Sequence, residues 1–240
     1  MTSQNTEPLH DFVPAANQGQ DPALYELENE AIDPSGVLWR RLRQAADWQD
    51  KVLVDLGCGS GFWLPKYADA AEVIGVEPDQ RLLGPAQARD PAIQVVHGSA
   101  EHVPLPTASV DVIHARFAYF FPSEGFDPVA GLREAERVLR PGGKLVVVDN
   151  DHVAGDFAEL LAASAPAAAQ GRDSYPTRWW ASHGAQTVPV MSSWQFQRRS
   201  DFEQVLHLEF PQQVAEQWLA RHPESLGLSY GYLLHIWQRS

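Results

Sequence analysis

Short apolar runs recur along the chain, and each is followed by a turn or an amphipathic segment. Val52–Leu56 is rich in β-branched residues, and Val73–Val76 and Leu145–Val148 are runs of the same kind. Runs this short and this apolar are typical of parallel strands that are buried on both faces of a sheet. The pattern therefore predicts an α/β fold built around a parallel sheet.

Two segments that link these strands are predicted to be crossover helices. Phe62–Ala71 follows the first strand, and Pro65 restricts the helix to starting near that residue. Val129–Leu139 carries apolar residues at helical spacing, after an N-cap aspartate and a proline at Asp127-Pro128. Pro141-Gly142-Gly143 is then expected to stop this helix before the next strand.

The flanks of this central region have their own patterns. Residues 1–20 are polar and predict a loose arm, whereas Tyr25–Ala46 predicts two helices joined by a turn at Asp33-Pro34-Ser35-Gly36. On the other side, the predicted elements are helices over Phe157–Ala169 (disturbed by Pro166), Phe202–Val205 and Val214–Arg221, and strands over Met191–Arg198 and Leu226–Gln238.

The segment with the most chemical information is VLVDLGCGSGFW, at Val52–Trp63. Gly57, Gly59 and Gly61 allow a tight turn and a close approach of the backbone to a ligand. Asp55 precedes this turn, and its carboxylate would repel a pyrophosphate but suit an ammonium or sulfonium group.

A second acidic residue ends the next predicted strand. Glu77 follows the run Val73–Val76, at the position where a carboxylate accepts hydrogen bonds from ribose hydroxyls in nucleotide-binding α/β folds. A dinucleotide is less well matched, because the third glycine of a Gly-x-Gly-x-x-Gly turn counted from Gly57 would fall on Phe62.

This arrangement resembles motif I of the class I S-adenosylmethionine (SAM)-dependent methyltransferases, which usually reads acid-x-Gly-x-Gly-x-Gly. Two later segments are similar to the same family: HGSAEHVPLPTASVDVIHA at His97–Ala115 and REAERVLRPGGKLVVVD at Arg133–Asp149. In the first, Ser99 stands where members of the family commonly have an aspartate. The resemblance runs from Val52 to Asp149 and is closest to the type 11-like, small-molecule group.

The resemblance implies a Rossmann-like fold, with a seven-stranded, mostly parallel sheet, helices on both faces and an antiparallel last strand, for which Ser229–Ile236 is suited. We expect residues 1–240 to form a single methyltransferase domain. Within it, residues 1–50 would be an N-terminal helical arm or lid, 51–150 the SAM-binding core, and 151–240 the substrate-side helices and last two strands.

The resemblance also implies which residues bind SAM and its product S-adenosylhomocysteine. Ser99 would replace the usual aspartate as acceptor of the adenine amino group, and Tyr25 is the candidate for closing over the methionine end unless it only packs. Arg116 would pair with the SAM carboxylate, with an anionic substrate, or with a structural carboxylate. The complete predicted set is Tyr25, Asp55, Gly57, Cys58, Gly59, Gly61, Glu77, Pro78, Ser99, Ala100, Glu101, Ala115 and Arg116.

Candidates for the acceptor side follow the fourth and fifth strands, because ligands of open α/β sheets bind outside the carboxyl ends of the strands. His152 and Asp151 are the candidate general bases, should the acceptor have to lose a proton. Four aromatic residues are expected to line an apolar substrate pocket: Tyr119, Phe120, Trp179 and Trp180. No metal site is predicted.

Composition narrows the class of partner. With 18 Lys and Arg against 31 Asp and Glu, the net charge of −13 argues against nucleic acid, whose binding needs a positive surface. The chain lacks a long apolar run or a signal-peptide pattern, which predicts no membrane span. A single cysteine is typical of a reducing compartment, so we expect a cytoplasmic protein. No oligomeric state is predicted.

We therefore predict an enzyme that transfers a methyl group from SAM to a small molecule by in-line displacement (EC 2.1.1.-). Two alternatives stay open from the sequence. One is a SAM-binding protein without catalytic turnover. The other is an NAD(P)-dependent oxidoreductase, which the glycine spacing and Asp55 disfavour.

Overall fold

Seven strands form one sheet in the computed structural model, which describes residues 9, 11–12, 21–165, 171 and 173–240. The strands are β1 (Val52–Leu56), β2 (Glu72–Glu77), β3 (Gln94–His97), β4 (Val110–Arg116), β5 (Leu139–Asn150), β6 (Gln186–Gln195) and β7 (Gly227–Gln238). Their order is β3-β2-β1-β4-β5-β7-β6. The first five are parallel, and β7 runs antiparallel to both β5 and β6. The predicted Rossmann-like, mostly parallel sheet with an antiparallel last strand is confirmed.

Helices cover both faces of the sheet. They are α1 (Pro22–Ala31), α2 (Val37–Ala45), α3 (Gln80–Arg89), α4 (Val129–Val138), α5 (Asp156–Ser164), α6 (Tyr175–Ser182), α7 (Arg199–Glu209) and α8 (Gln212–Arg221). One apolar core joins the sheet to residues of α2, α5, α7 and α8, and a second core joins it to residues of α4 and α6. Of the helices in the described ranges, none is long and apolar enough to cross a membrane.

The connection after β1 differs from the sequence prediction. A helix was expected over Phe62–Ala71, but the structure has only a short 3-10 helix at Leu64–Tyr67. Pro65 lies in the first turn of this helix, where its missing N–H is tolerated, so it sets where the helix begins. In addition, Asp69 accepts a hydrogen bond of 2.7 Å from Trp48 Nε1, which fixes the chain as it turns into β2.

The segment Pro141-Gly142-Gly143 also differs in detail from the expectation. It was predicted as a break between helix and strand, but α4 ends at Val138 and β5 already begins at Leu139. Gly142 has a φ of +80°, and the pairing of β4 with β5 shifts register between Val110 and Val112. The helix stops as predicted, and the glycines lie in an irregular first part of β5.

The predicted helix–turn–helix at the N-terminus is present as α1 and α2. Asp33 lies between them, and its carboxylate accepts hydrogen bonds from the N–H groups of Leu38 and Trp39, both at 3.0 Å, and from the Ser192 hydroxyl at 2.6 Å. Next to it, Ile32 forms a β-bridge with Trp194 of β6. The turn between α1 and α2 is therefore attached to β6.

Two flank predictions fall partly outside the described residues. The loose arm predicted for 1–20 does so except at residues 9, 11 and 12, and the predicted helix Phe157–Ala169 is seen as α5 up to Ser164, with 166–170 outside. The remaining elements appear as β6, α7, α8 and β7, with β6 starting five residues earlier than predicted.

Candidate active site

The glycine turn, residues 57–61, connects β1 to the 3-10 helix at the carboxyl end of the sheet. Gly57, Gly59 and Gly61 have φ values of +75°, +59° and +77°, which other residues rarely adopt. A Cβ at position 57 would lie 2.6 Å from the Cβ of Ala118, so the loop after β4 packs directly on the turn. The N–H of Gly57 donates to the Val76 carbonyl at 2.8 Å and fixes the turn against the end of β2.

Asp55 and Glu77 lie on the adjacent strands β1 and β2 beside this turn, and both carboxyls are at most 5% exposed. Burial raises the pKa of Asp55 to about 6, against the opposing effect of the positive charge on Arg116. Burial also raises the pKa of Glu77 to about 7, although its carboxylate accepts hydrogen bonds of 2.8 Å from the N–H groups of Gly59 and Asp79. These carboxylates are costly to bury without a ligand, and donors on a ligand would relieve that cost.

Helix α1 lies over the glycine turn and is attached to it through Glu26. The Ser60 hydroxyl donates to Glu26 Oε1 at 2.6 Å, and Arg89 of α3 forms an ion pair with the same carboxylate. Tyr25 neighbours this contact; burial raises its pKa, and the charges of Arg116 and Glu77 also act on it. The structure therefore brings the predicted lid residue Tyr25 to the same end of the sheet as Glu77.

Arg116 ends β4 and is held by two residues that the sequence did not single out. Its Nη2 donates to Asn29 Oδ1 of α1 at 3.1 Å, and its guanidinium carbon lies 4.3 Å from the ring centroid of Trp63. Asn29 is 2% exposed, although nothing in the local sequence marks it as polar and buried. A hydrogen bond and a cation–π contact thus orient Arg116 towards the region between α1 and β1.

The loop at residues 98–102 follows β3 and carries Ser99, Ala100 and Glu101. Ser99 is 3% exposed, and its buried hydroxyl has no hydrogen-bond partner among the described residues. A buried polar atom of this kind calls for a partner, such as a group on a bound ligand. Glu101 differs, because its carboxylate accepts a hydrogen bond of 2.7 Å from the Tyr119 hydroxyl.

Ala115, Pro78 and Cys58 are the remaining predicted cofactor residues. Ala115 is fully buried in β4, and the Pro78 carbonyl lies 3.1 Å from His97 Nε2. Burial, together with the charges of Asp55 and Glu77, raises the pKa of the Cys58 thiol far above its usual range. Cys58 is therefore an unreactive residue that fills the turn.

The aromatic residues predicted to line a substrate pocket are placed mainly in the second core. Phe120, Trp179 and Trp180 are 0%, 7% and 0% exposed, and they pack on the sheet face covered by α4 and α6. Trp180 stacks on His235 with ring centroids 5.2 Å apart. These three side chains therefore contribute to packing rather than to an open surface.

Tyr119 is partly exposed but already engaged. Besides its bond to Glu101, its hydroxyl accepts a hydrogen bond from the Gly131 N–H at 3.3 Å, and burial raises its pKa. Its φ is +56°, and that of Phe117 is +49°. Two non-glycine residues in the left-handed region, directly after β4, store backbone strain of a kind that clusters at functional sites.

A cavity of about 180 Å³ opens at the carboxyl end of β5, and both candidate bases, His152 and Asp151, line it. Burial lowers the pKa of His152, whereas the charge of Asp151 opposes that effect. Asp149 also lines the cavity, although no function was predicted for it from the sequence. Its lining residues are Asp149, Asn150, Asp151, His152, Val153, Gly171, Ser174, Pro176, Thr177, Thr187, Pro189 and Leu233.

The site fits SAM on three observations. The glycine turn lets the backbone approach a ligand, two buried carboxyls lie beside it at Asp55 and Glu77, and the Ser99 hydroxyl is buried without a partner in the residues the structure covers. These are the acceptors that an ammonium group, ribose hydroxyls and an adenine amino group require.

Comparisons with known proteins point to the same ligand. Residues 54–147 match the family model described as a methyltransferase domain. Over 140 residues the chain is 33% identical to a probable S-adenosylmethionine-dependent methyltransferase of Mycolicibacterium smegmatis, in an alignment that covers 58% of this chain and 52% of that protein. The chain thus spans about half the length of the curated relatives it matches.

Two solved structures share the fold. The YcgJ protein of Bacillus subtilis has a TM-score of 0.56 at 19% identity, over 83% of this chain and 97% of its own. A geranyl diphosphate methyltransferase solved in complex with SAM has a TM-score of 0.54 at 14% identity, over 94% of this chain and 93% of its own. The family match contains the glycine turn, Glu77 and all of β4, so residues 54–147 are similar to the class I SAM-dependent methyltransferases, and these comparisons support SAM as the cofactor.

Proposed function

We propose that this protein transfers the methyl group of SAM to a small-molecule acceptor by in-line displacement. The observation that carries the proposal is the pair of buried carboxyls, Asp55 and Glu77, on neighbouring strands beside the glycine turn. We further propose that the described helices and strands form one methyltransferase domain. A cytoplasmic location is proposed as well, because the chain's one cysteine is a free thiol.

The roles proposed for the cofactor residues follow from what each side chain offers. Glu77 accepts from the ribose hydroxyls and Ser99 from the adenine amino group, because their oxygens are buried acceptors. Asp55 faces the cationic part of the cofactor, and Arg116 binds its carboxylate, for which a guanidinium is well suited. Tyr25, on the lid helix α1, closes over this end.

Bound SAM supplies an activated methyl group, so the protein has mainly to orient the acceptor and to exclude water. Orientation of this kind is worth about 7–11 kcal/mol of the barrier. Helix α1 contributes to the exclusion of water, because the contacts of Glu26 with Ser60 and Arg89 hold the helix over the glycine turn. Water exclusion also strengthens the electrostatic interactions of Asp55 with the cofactor.

A proton acceptor is available on the acceptor side. The lowered pKa of His152 leaves its imidazole neutral at pH 7, so it is able to take a proton. Asp151 lies next to it, but one of its carboxylate oxygens already accepts a hydrogen bond of 2.9 Å from the Val153 N–H. We therefore propose His152 as the base, worth about 10²–10⁴ in rate, with Asp151 stabilising its charged form.

Calorimetric titration with SAM and, separately, with NADH tests the cofactor assignment. We expect SAM to bind and NADH not to bind, and the reverse would overturn the proposal. Transfer of labelled methyl from SAM into a small-molecule extract then tests turnover. A protein that binds SAM but labels no small molecule would instead be a SAM-binding protein without turnover.

A further inference from the structure

The β5 cavity, defined by the twelve lining residues given above, is bounded by three parts of the fold. The end of β5 forms its floor, Pro176 and Thr177 of α6 form one wall, and Pro189 of β6 with Leu233 of β7 forms another. Its volume of about 180 Å³ accommodates a small molecule.

The charges around the β5 cavity have one sign. Asp149 and Asp151 are both 7% exposed and both line it, while none of the described lining residues is a lysine or an arginine. His152, the remaining titratable group of the lining, is biased to its neutral form by burial. An anionic group would meet repulsion from two carboxylates here, whereas a cation would be attracted.

Asp149 has an unused acceptor. Its Oδ1 accepts a hydrogen bond of 2.7 Å from the Asn150 N–H, and no described residue donates to its other carboxylate oxygen. Burial raises the pKa of Asp149 to about 6, which still leaves it ionised at pH 7.5. The second carboxylate oxygen of Asp149 is not among the fully enclosed atoms without a partner, so it is accessible from the cavity, where a charged donor pairs with a carboxylate best.

Given the methyl transfer proposed above, we infer that the acceptor is a small amine-bearing molecule whose ammonium group binds to the Asp149 carboxylate in the β5 cavity. Thr177 and Thr187 also line the cavity, but their hydroxyls are paired with the Ser174 hydroxyl at 3.0 Å and with His235 Nδ1 at 2.9 Å, so neither competes with an amine for the carboxylate. Alcohols of the same shape would bind more weakly, because a neutral hydrogen bond to Asp149 lacks the charge-assisted part.

The test uses three ligands of one shape: benzylamine, benzyl alcohol and benzoate, titrated at pH 7.5 into the protein saturated with S-adenosylhomocysteine and followed by ligand-observed NMR. We expect benzylamine to bind most tightly and benzoate not to bind. Asp149→Asn should weaken benzylamine binding about tenfold or more, because it removes a charge-assisted hydrogen bond. The matched control is Asp50→Asn, at an exposed aspartate before β1, which should change nothing.

A second variant keeps the inference testable if Asp149→Asn does not fold. Thr177→Lys places an ammonium group of the protein itself on the cavity wall and should block benzylamine. Binding of benzoate in preference to benzylamine, or unchanged benzylamine affinity in both variants, would overturn the inference. Failure of S-adenosylhomocysteine or SAM to bind would instead count against the proposed function, so the two failures are distinguishable.

Discussion

Replacing Asp55 with asparagine should make the ligand-free protein more stable and the cofactor complex weaker. The pKa of this buried carboxyl lies at about 6 rather than at its ordinary 3.8. The folded state therefore holds the proton more strongly than the unfolded state, and stability is lost as the pH rises through about 6. At pH 8 that difference of about 2 pH units amounts to about 3 kcal/mol, which a neutral asparagine would not lose.

Thermal unfolding at pH 8 and pH 4.5 measures the effect. A gain of about 3 kcal/mol corresponds to a melting temperature about 6–12 °C higher for a chain of this length, and the gain should shrink towards pH 4.5. Calorimetry at pH 8 should show SAM binding about 10- to 140-fold more weakly, since a hydrogen bond to a charged group contributes about 1.5–3 kcal/mol.

Asp50→Asn is the control, because Asp50 is exposed and its φ of +57° is one that asparagine tolerates. It should leave both the melting temperature and SAM affinity unchanged. The reasoning would be refuted if Asp55→Asn changed the melting temperature equally at both pH values, because the penalty would then not come from a buried charge.

Three further predictions concern the same site. Gly57→Ala should abolish measurable SAM binding by calorimetry, because the added Cβ would lie 2.6 Å from the Cβ of Ala118. The control is Gly84→Ala in α3, where the added Cβ meets open space and should stabilise the protein by about 0.5–1 kcal/mol. Ser99→Ala should weaken SAM about fivefold, through loss of a hydrogen bond worth about 1 kcal/mol, without lowering the melting temperature; unchanged affinity would exclude the adenine contact. SAM affinity should fall as the pH is lowered from 8 to 6, because Glu77 takes up a proton near pH 7; a flat profile by fluorescence titration would contradict this.

The parts of the fold that the sequence predicted best are those with local causes. The apolar run Val52–Leu56, the glycines after it and the carboxylate of Glu77 each identify their position without reference to distant residues. The helix at Val129–Val138, which lies between two buried strands, likewise follows from the spacing of its apolar side chains. The resemblance to methyltransferases added the seven-stranded, mostly parallel sheet and the antiparallel last strand, which spacing alone would not give.

The rest depends on contacts between distant parts of the chain. Trp179 and Trp180 are aromatic residues of the kind that often line ligand pockets. In the structure they pack against one face of the sheet and are part of the second core. The bond between Asn29 and Arg116 joins residues 87 positions apart, and no periodicity predicts it. The cavity at Asp149 arises where three strands (β5, β6 and β7) meet α6, so the sequence indicated the end of β5 but not the enclosed space.

The attachment of Asp33 to β6 has a consequence for how the protein assembles during synthesis. Its partner Ser192 lies 159 residues later in the chain, so α1 emerges from the ribosome long before its docking strand exists. Contacts of such large sequence separation form late, since loop closure must come first. Helix α1 is therefore expected to be among the last parts of the cofactor site to settle, and a nascent chain ending before β6 would carry the glycine turn without its cover.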